Sequence, residues 1–174
     1  MKRNLTGFFL TLAAIASCAI AAHGASLKEG TQEFSVGGAF EPKSSSGADF
    51  NVKLTYGFFA ADNLEVGGRI GYHNNDETTL FSAGPFTELN FDLGGEFVPF
   101  IGAELDFAHG DSSPKSNDGL ALTGYGGGKY FLAENVAITA KLDASWATEK
   151  IYAKKKGADS TNIEVEFGMS FYIP

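Results

Sequence analysis

Cysteine and proline are scarce in this 174-residue sequence: Cys18 is the only cysteine, and there are 5 prolines. A single cysteine excludes a disulfide framework and a multi-cysteine metal site. Bases are also in deficit, with 13 Lys+Arg against 21 Asp+Glu and a net charge of -8. That balance argues against a nucleic-acid partner. Beyond residue 22 no apolar run approaches the ~18 residues of a membrane-spanning helix. A β-barrel remains open, because alternating strands average to a neutral hydropathy, and the mean hydropathy here is -0.05. Glycine (22) and phenylalanine (16) are plentiful instead, too apolar a mixture for a disordered chain.

The first residues read as an address. Lys2 and Arg3 precede the apolar run from Gly7 to Ala22, which gives way to His23, Gly24 and Ala25. Charged start, apolar middle and small-residue end make residues 1–25 a secretory signal peptide, cleaved after Gly24 or Ala25. A second parse places lipidation at Cys18, after Ile15, Ala16 and Ser17. Residues 26–30 are then expected to be a short N-terminal segment of the exported chain and residues 31–174 one domain.

The rest of the chain alternates with period two. Phe50, Val52, Leu54, Tyr56 and Phe58 alternate with Asn51, Lys53, Thr55 and Gly57, a pattern that gathers on one face only in a strand. The same parity runs through 64–72, 136–146 and 163–171, and more weakly through 31–40, 79–91, 97–107 and 119–131. These eight segments predict an all-β, eight-stranded, antiparallel up-and-down barrel, most strands near the ~9–11 residues that cross a bilayer. Three connections are short (59–63, 92–96, 132–135). Four are longer and polar (41–48, 73–78, 109–118, 148–160). Their alternation predicts periplasmic turns at one rim and extracellular loops at the other.

Two stretches echo each other: Phe58-Phe59-Ala60-Ala61-Asp62-Asn63 and Tyr130-Phe131-Leu132-Ala133-Glu134-Asn135. Each pairs two aromatics with an acidic-Asn turn, and the aromatics are expected in an interfacial girdle. With Val98-Pro99-Phe100-Ile101-Gly102-Ala103 and the C-terminal strand, they resemble the small eight-stranded outer-membrane β-barrels, the OmpA-like and OmpX/opacity-like transmembrane domains. The resemblance covers nearly all of 31–173. It implies outer-membrane residence in a Gram-negative-type envelope, no cofactor, a monomer, and contact with outer-membrane lipid and lipopolysaccharide. It also implies periplasmic chaperones and a barrel-assembly machinery that reads Glu166, Gly168, Phe171 and Ile173, although the family usually ends in Phe or Trp and this chain ends Ile173-Pro174. No peptidoglycan-binding domain follows, so a wall-anchoring role is not expected.

If the apolar parity faces lipid, the opposite parity points inward: Glu33, Lys53, Glu65, Arg69, Glu88, Glu104, Asp106, Lys129, Lys141, Asp143, Glu164 and Glu166. An eight-stranded interior is just wide enough for side chains to fill, and unpaired buried charge costs several kcal/mol. An ion-pair network closing the lumen is therefore expected. A narrow cation-preferring channel is one alternative, since acids outnumber bases. A soluble lipocalin-like barrel, with the faces reversed around an apolar ligand, is another. Neither His73 nor His109 is spaced with a hydroxyl as a hydrolase requires, and His109 with Asp111 is too sparse a ligand set for a metal. No enzyme activity is expected. Lys154, Lys155 and Lys156 form a possible polyanion contact in the last loop. Gly124 to Gly128 is read as curvature within strand six. The function expected is a non-enzymatic envelope-structural or surface-interaction role.

Overall fold

Period-two alternation becomes a closed ladder in the computed structural model, which describes residues 27–44, 47–74, 78–112, 115–149, 151–154 and 157–174. Residues 1–25, expected as a signal peptide and including Cys18, lie outside the described residues, as do Lys155 and Lys156. The strands are β1 (Gln32–Ser44), β2 (Gly47–Ala61), β3 (Leu64–Asn74), β4 (Thr78–Asn90), β5 (Phe97–Ser112), β6 (Lys115–Ala133) and β7 (Val136–Ala147), followed by short β8 (Tyr152–Lys154) and β9 (Gly157–Asp159), and finally β10 (Thr161–Ile173). Each long strand pairs antiparallel with its neighbour in the chain, β7 pairs with β10, and β10 returns to β1 to close an eight-stranded barrel. β8 and β9 form a separate hairpin within the β7–β10 connection.

The register puts like with like. Leu54 lies opposite Ile70 and Val52 opposite Tyr72, while Lys53 lies opposite Gly71. Ile70, Phe81, Leu105, Leu142 and Trp146 face outward and are each about half exposed. The alternating apolar set therefore lies on the outer face, and the reversed, lipocalin-like arrangement is not the one adopted.

Two of the four polar connections are mostly strand rather than loop. β1 and β2 remain paired as far as Ser44 and Gly47, and β5 and β6 as far as Ser112 and Lys115. Polar residues at both parities hide the alternation there, yet backbone pairing needs no apolar face and continues. The β7–β10 connection also folds, as β8 and β9. Lys154 ends β8.

The rim with the short turns is capped by the segment before β1. The Asn63 amide donates to the Leu27 carbonyl (2.8 Å) and the Gly30 amide to the Phe59 carbonyl (2.9 Å). Asn63 takes a φ of 66°, a left-handed conformation that Asn tolerates. Asp62 accepts from the Glu29 amide at 3.0 Å and from Lys28 at 3.1 Å. The Glu29 amide and the Lys28 ammonium hold the Asp62 carboxyl below its usual range. These bonds carry the Leu27 side chain into the barrel mouth, where it packs with Phe59, Val98, Phe131, Ala137 and Tyr172.

The echoed aromatic pairs consequently divide. Phe58 and Tyr130 face outward at 47% and 44% exposure, whereas Phe59 and Phe131 are buried at 0% and 1%. Adjacent residues on a strand point to opposite faces, so only one of each pair joins the outer aromatic belt and the other fills the interior.

Candidate functional site in the barrel interior

All twelve inward-parity charges lie inside the barrel. Above the apolar layer at the turn end, Lys129 Nζ sits 2.7 Å from Glu33, 2.7 Å from Glu88 and 3.6 Å from Glu65. The ammonium also lies 5.4 Å from the Phe100 ring centre and 5.6 Å from that of Tyr172, close enough for cation–π attraction. Oxygens of Glu33, Glu65 and Glu88 lie within 4.8 Å of one another, a spacing compatible with a metal ion. The Lys129 ammonium already stands among them as the cation.

One layer further, Arg69 pairs with Glu104. Its guanidinium lies 5.5 Å from the Tyr125 ring centre, and Lys141 Nζ lies 4.7 Å from the same ring. Asp106 is buried two residues along from Glu104, on the same face. Lys53 then gathers Glu166 (2.8 Å), Asp143 (3.0 Å) and Glu164 (3.7 Å). Lys141 lies 3.4 Å from Glu166 and 3.6 Å from Asp143. Asn51 donates to the free side of Glu164. The charges thus form three linked groups stacked along the barrel axis, centred on Lys129, Arg69 and Lys53.

Several residues in this stack were absent from the sequence reading. Tyr125 was hidden in the glycine run 124–128, although Tyr125, Gly127 and Lys129 share one parity and the period-two rule reaches it. Its partner across the ladder is Gly102. A Cβ at Gly102 would lie 2.3 Å from Tyr125 Cζ, so the ring uses the space that glycine leaves. Replacing Gly102 with alanine is expected to displace Tyr125 from between Arg69 and Lys141 and to cost about 1–3 kcal/mol by overpacking. A lowered urea midpoint in lipid vesicles checks this.

The other mouth closes differently. Ile151 and Tyr152 from the β7–β10 connection fold inward against Leu80, Ala108, Ala121 and Ala147. Beneath them is a cavity of about 390 Å³, bordered by Asn51, Lys53, His73, Ser82, Glu164 and their neighbours. His109 stands outside it, its Nδ1 2.5 Å from Asp118 Oδ1 across the β5–β6 ladder. The side chains of Asp111 and Lys154 lie outside what is described. On β10, Glu166 joins the Lys53 group, Gly168 fits closely against Thr139 and Val36, and Phe171 and Ile173 face outward.

No protein-family model matches the sequence, and no curated protein matches it. Among solved structures, the N-terminal β-barrel domain of Pseudomonas aeruginosa OprF superposes with a TM-score of 0.59 at 18% identity, covering 83% of this chain and 98% of that one. Neisserial surface protein A gives 0.59 at 18% identity, covering 81% and 95%. A structure from the de novo design of transmembrane β-barrels gives 0.57 at 14% identity, covering 85% and 99%. At such identities the likeness is one of architecture, and the chain has the fold of the small eight-stranded outer-membrane β-barrels.

Proposed function

We propose that the protein resides in the outer membrane of a Gram-negative-type bacterium as a non-enzymatic barrel with an envelope-structural or surface-interaction role, its lumen closed by ion pairs. The observation that carries this reading is the sorting of faces. Half-exposed apolar side chains ring the outside, and Lys53, Arg69 and Lys129 with their carboxylates cross the inside. Apolar outside and polar inside is the arrangement a bilayer requires of a closed sheet. The address in residues 1–25 and the fold shared with outer-membrane barrels support it. On this reading the polar ends of β5 and β6 and the β8–β9 hairpin project beyond the lipid. The Lys154–Lys156 run belongs to the surface that meets lipopolysaccharide phosphates.

The C-terminal strand is proposed as the segment that the assembly machinery reads, and it also closes the barrel. Deleting residues 168–174 removes every β1–β10 pair from Gln32–Ile173 to Gly37–Gly168 and leaves only Gly38–Phe167. The truncated chain is expected to be exported yet absent from outer-membrane fractions and degraded in the periplasm. The intact chain is expected in those fractions, migrating differently on gels before and after boiling. Normal outer-membrane levels of the truncated chain would overturn the assembly role. A soluble intact chain would overturn the membrane reading.

A further inference from the structure

The barrel closes unevenly. Among the described residues, β1 and β10 pair only from Gln32–Ile173 to Gly38–Phe167. Above that point β1 stays paired with β2 through Glu41 and Ser44, and β10 stays paired with β7 through Thr161. Among the described residues, two strand edges, 39–43 and 162–166, therefore face each other without a ladder. Ile163 beside this seam is 75% exposed, against 64% for Phe167 at its paired end and 44% for Ile138 on β7.

The cavity of about 390 Å³ lies directly behind the seam. Its lining includes Ala39 of β1 and both Ile163 and Val165 of β10. The latter two are outward-facing, so the space reaches the outer surface of the wall. An unpaired sheet edge is not tolerated against lipid unless it borders a polar or water-filled space, and here it borders one. The floor is the Lys53 group, which makes the chamber blind. In that group Glu164 is the carboxylate farthest from the Lys53 ammonium, and its other oxygen accepts from Asn51. It lies 3.7 Å from Lys53, against 2.8 Å for Glu166 and 3.0 Å for Asp143, and its side chain is 22% exposed. Leu80 and Ile151 supply an apolar roof. The volume is at the small end of ligand pockets.

We propose that the upper β1–β10 seam is a lateral portal admitting a single-chain amphiphile with a cationic head from the membrane, the ammonium pairing with Glu164 and the chain lying against Ile163 and Val165. The proposal rests on the membrane reading, which heat-dependent gel migration of the reconstituted protein tests separately.

The test uses the protein in phosphatidylcholine nanodiscs with an alkylammonium probe carrying a diazirine beside the nitrogen, and an alkyl sulfate of equal length as comparison. On illumination the ammonium probe is expected to label peptides containing Leu80 and Ile151, and the sulfate is not. Glu164→Gln should reduce that labelling about tenfold, through loss of a charge-assisted hydrogen bond. In a Cys18→Ser background, Phe40→Cys with Val165→Cys places a disulfide where the ladder would continue. Oxidation should suppress labelling of the chamber and reduction restore it. Equal labelling by both probes, confined to Ile163 and Val165, would overturn the proposal. So would chamber labelling that the oxidised lock leaves unchanged, because the probe would then be entering from the aqueous mouth.

Discussion

Replacing Lys129 with methionine is expected to lower the unfolding free energy by about 3–5 kcal/mol, the range for leaving buried charge without its partner. The side chain is 2% exposed and faces Glu33, Glu65 and Glu88. Methionine keeps the length of the stem and removes only the cation, so packing against Phe100 and Tyr172 changes little. What is left is three carboxylates within reach of one another, with no other base paired to them among the described residues. Urea unfolding in lipid vesicles measures the loss. Adding Glu33→Gln and Glu88→Gln to Lys129→Met should recover much of it, because the orphaned charges are then gone. An unchanged midpoint for Lys129→Met alone would mean that water already solvates this layer, and it would remove the reason for calling the lumen closed.

The second large effect is on the outer face. Arginine at Leu142 is expected to destabilise the folded barrel by about 2–4 kcal/mol, the cost of a cation near the bilayer midplane. Leu142 is 53% exposed and lies midway along β7, opposite Val165 and Gly126. Leu54 occupies the same apolar parity on β2 and should respond in the same sense. Leu93 provides the contrast. It is 72% exposed in the turn between β4 and β5, where arginine should cost about 0–1 kcal/mol because the depth penalty has faded. Thr55 is not a mild comparison site. It borders an interior space of about 30 Å³ beside Arg69 and Lys141, so arginine there would meet two cations. Equal tolerance at Leu142 and Leu93 in a vesicle folding titration would mean that the apolar face does not lie in lipid.

Period two was the informative signal, and its reach explains what could be read. It placed Lys53, Arg69 and Lys129 inside and Leu54, Ile70 and Leu142 outside, because one dihedral habit fixes which way each side chain points along a strand. It could not show which acid each base would meet. Lys129 reaches Glu33 across 96 residues, and that pairing depends on ring closure and stagger, which no local pattern encodes. The aromatic doublets misled where composition was weighed above parity. Phe59 and Phe131 share the inward parity of Glu65 and Lys129 and lie with them. The polar strand ends were taken for loops because polar residues occupy both parities there and remove the alternation. Leu27, Ile151 and Tyr152 escaped notice altogether, since each enters a barrel mouth from outside the long strands and carries no periodic mark. The uneven β1–β10 seam left a mark on one side only: Pro42 and the lost alternation of 41–44 suit an edge, whereas Ile163, Glu164 and Val165 alternate as regularly as residues that pair.

The proposed closure of the lumen makes the most direct demand on experiment. It rests on Leu27, Phe59, Phe131 and Tyr172 packed across one mouth and the Lys129, Arg69 and Lys53 groups stacked behind them, and on that reading an ion has no continuous hydrated path. The measurement is single-channel recording of the purified protein in planar bilayers at high salt. The account predicts a silent baseline from membranes shown to contain folded, heat-modifiable protein. A steady, cation-selective conductance from the same preparation would contradict it, and the excess of lumenal carboxylates would then be the lining of a pore.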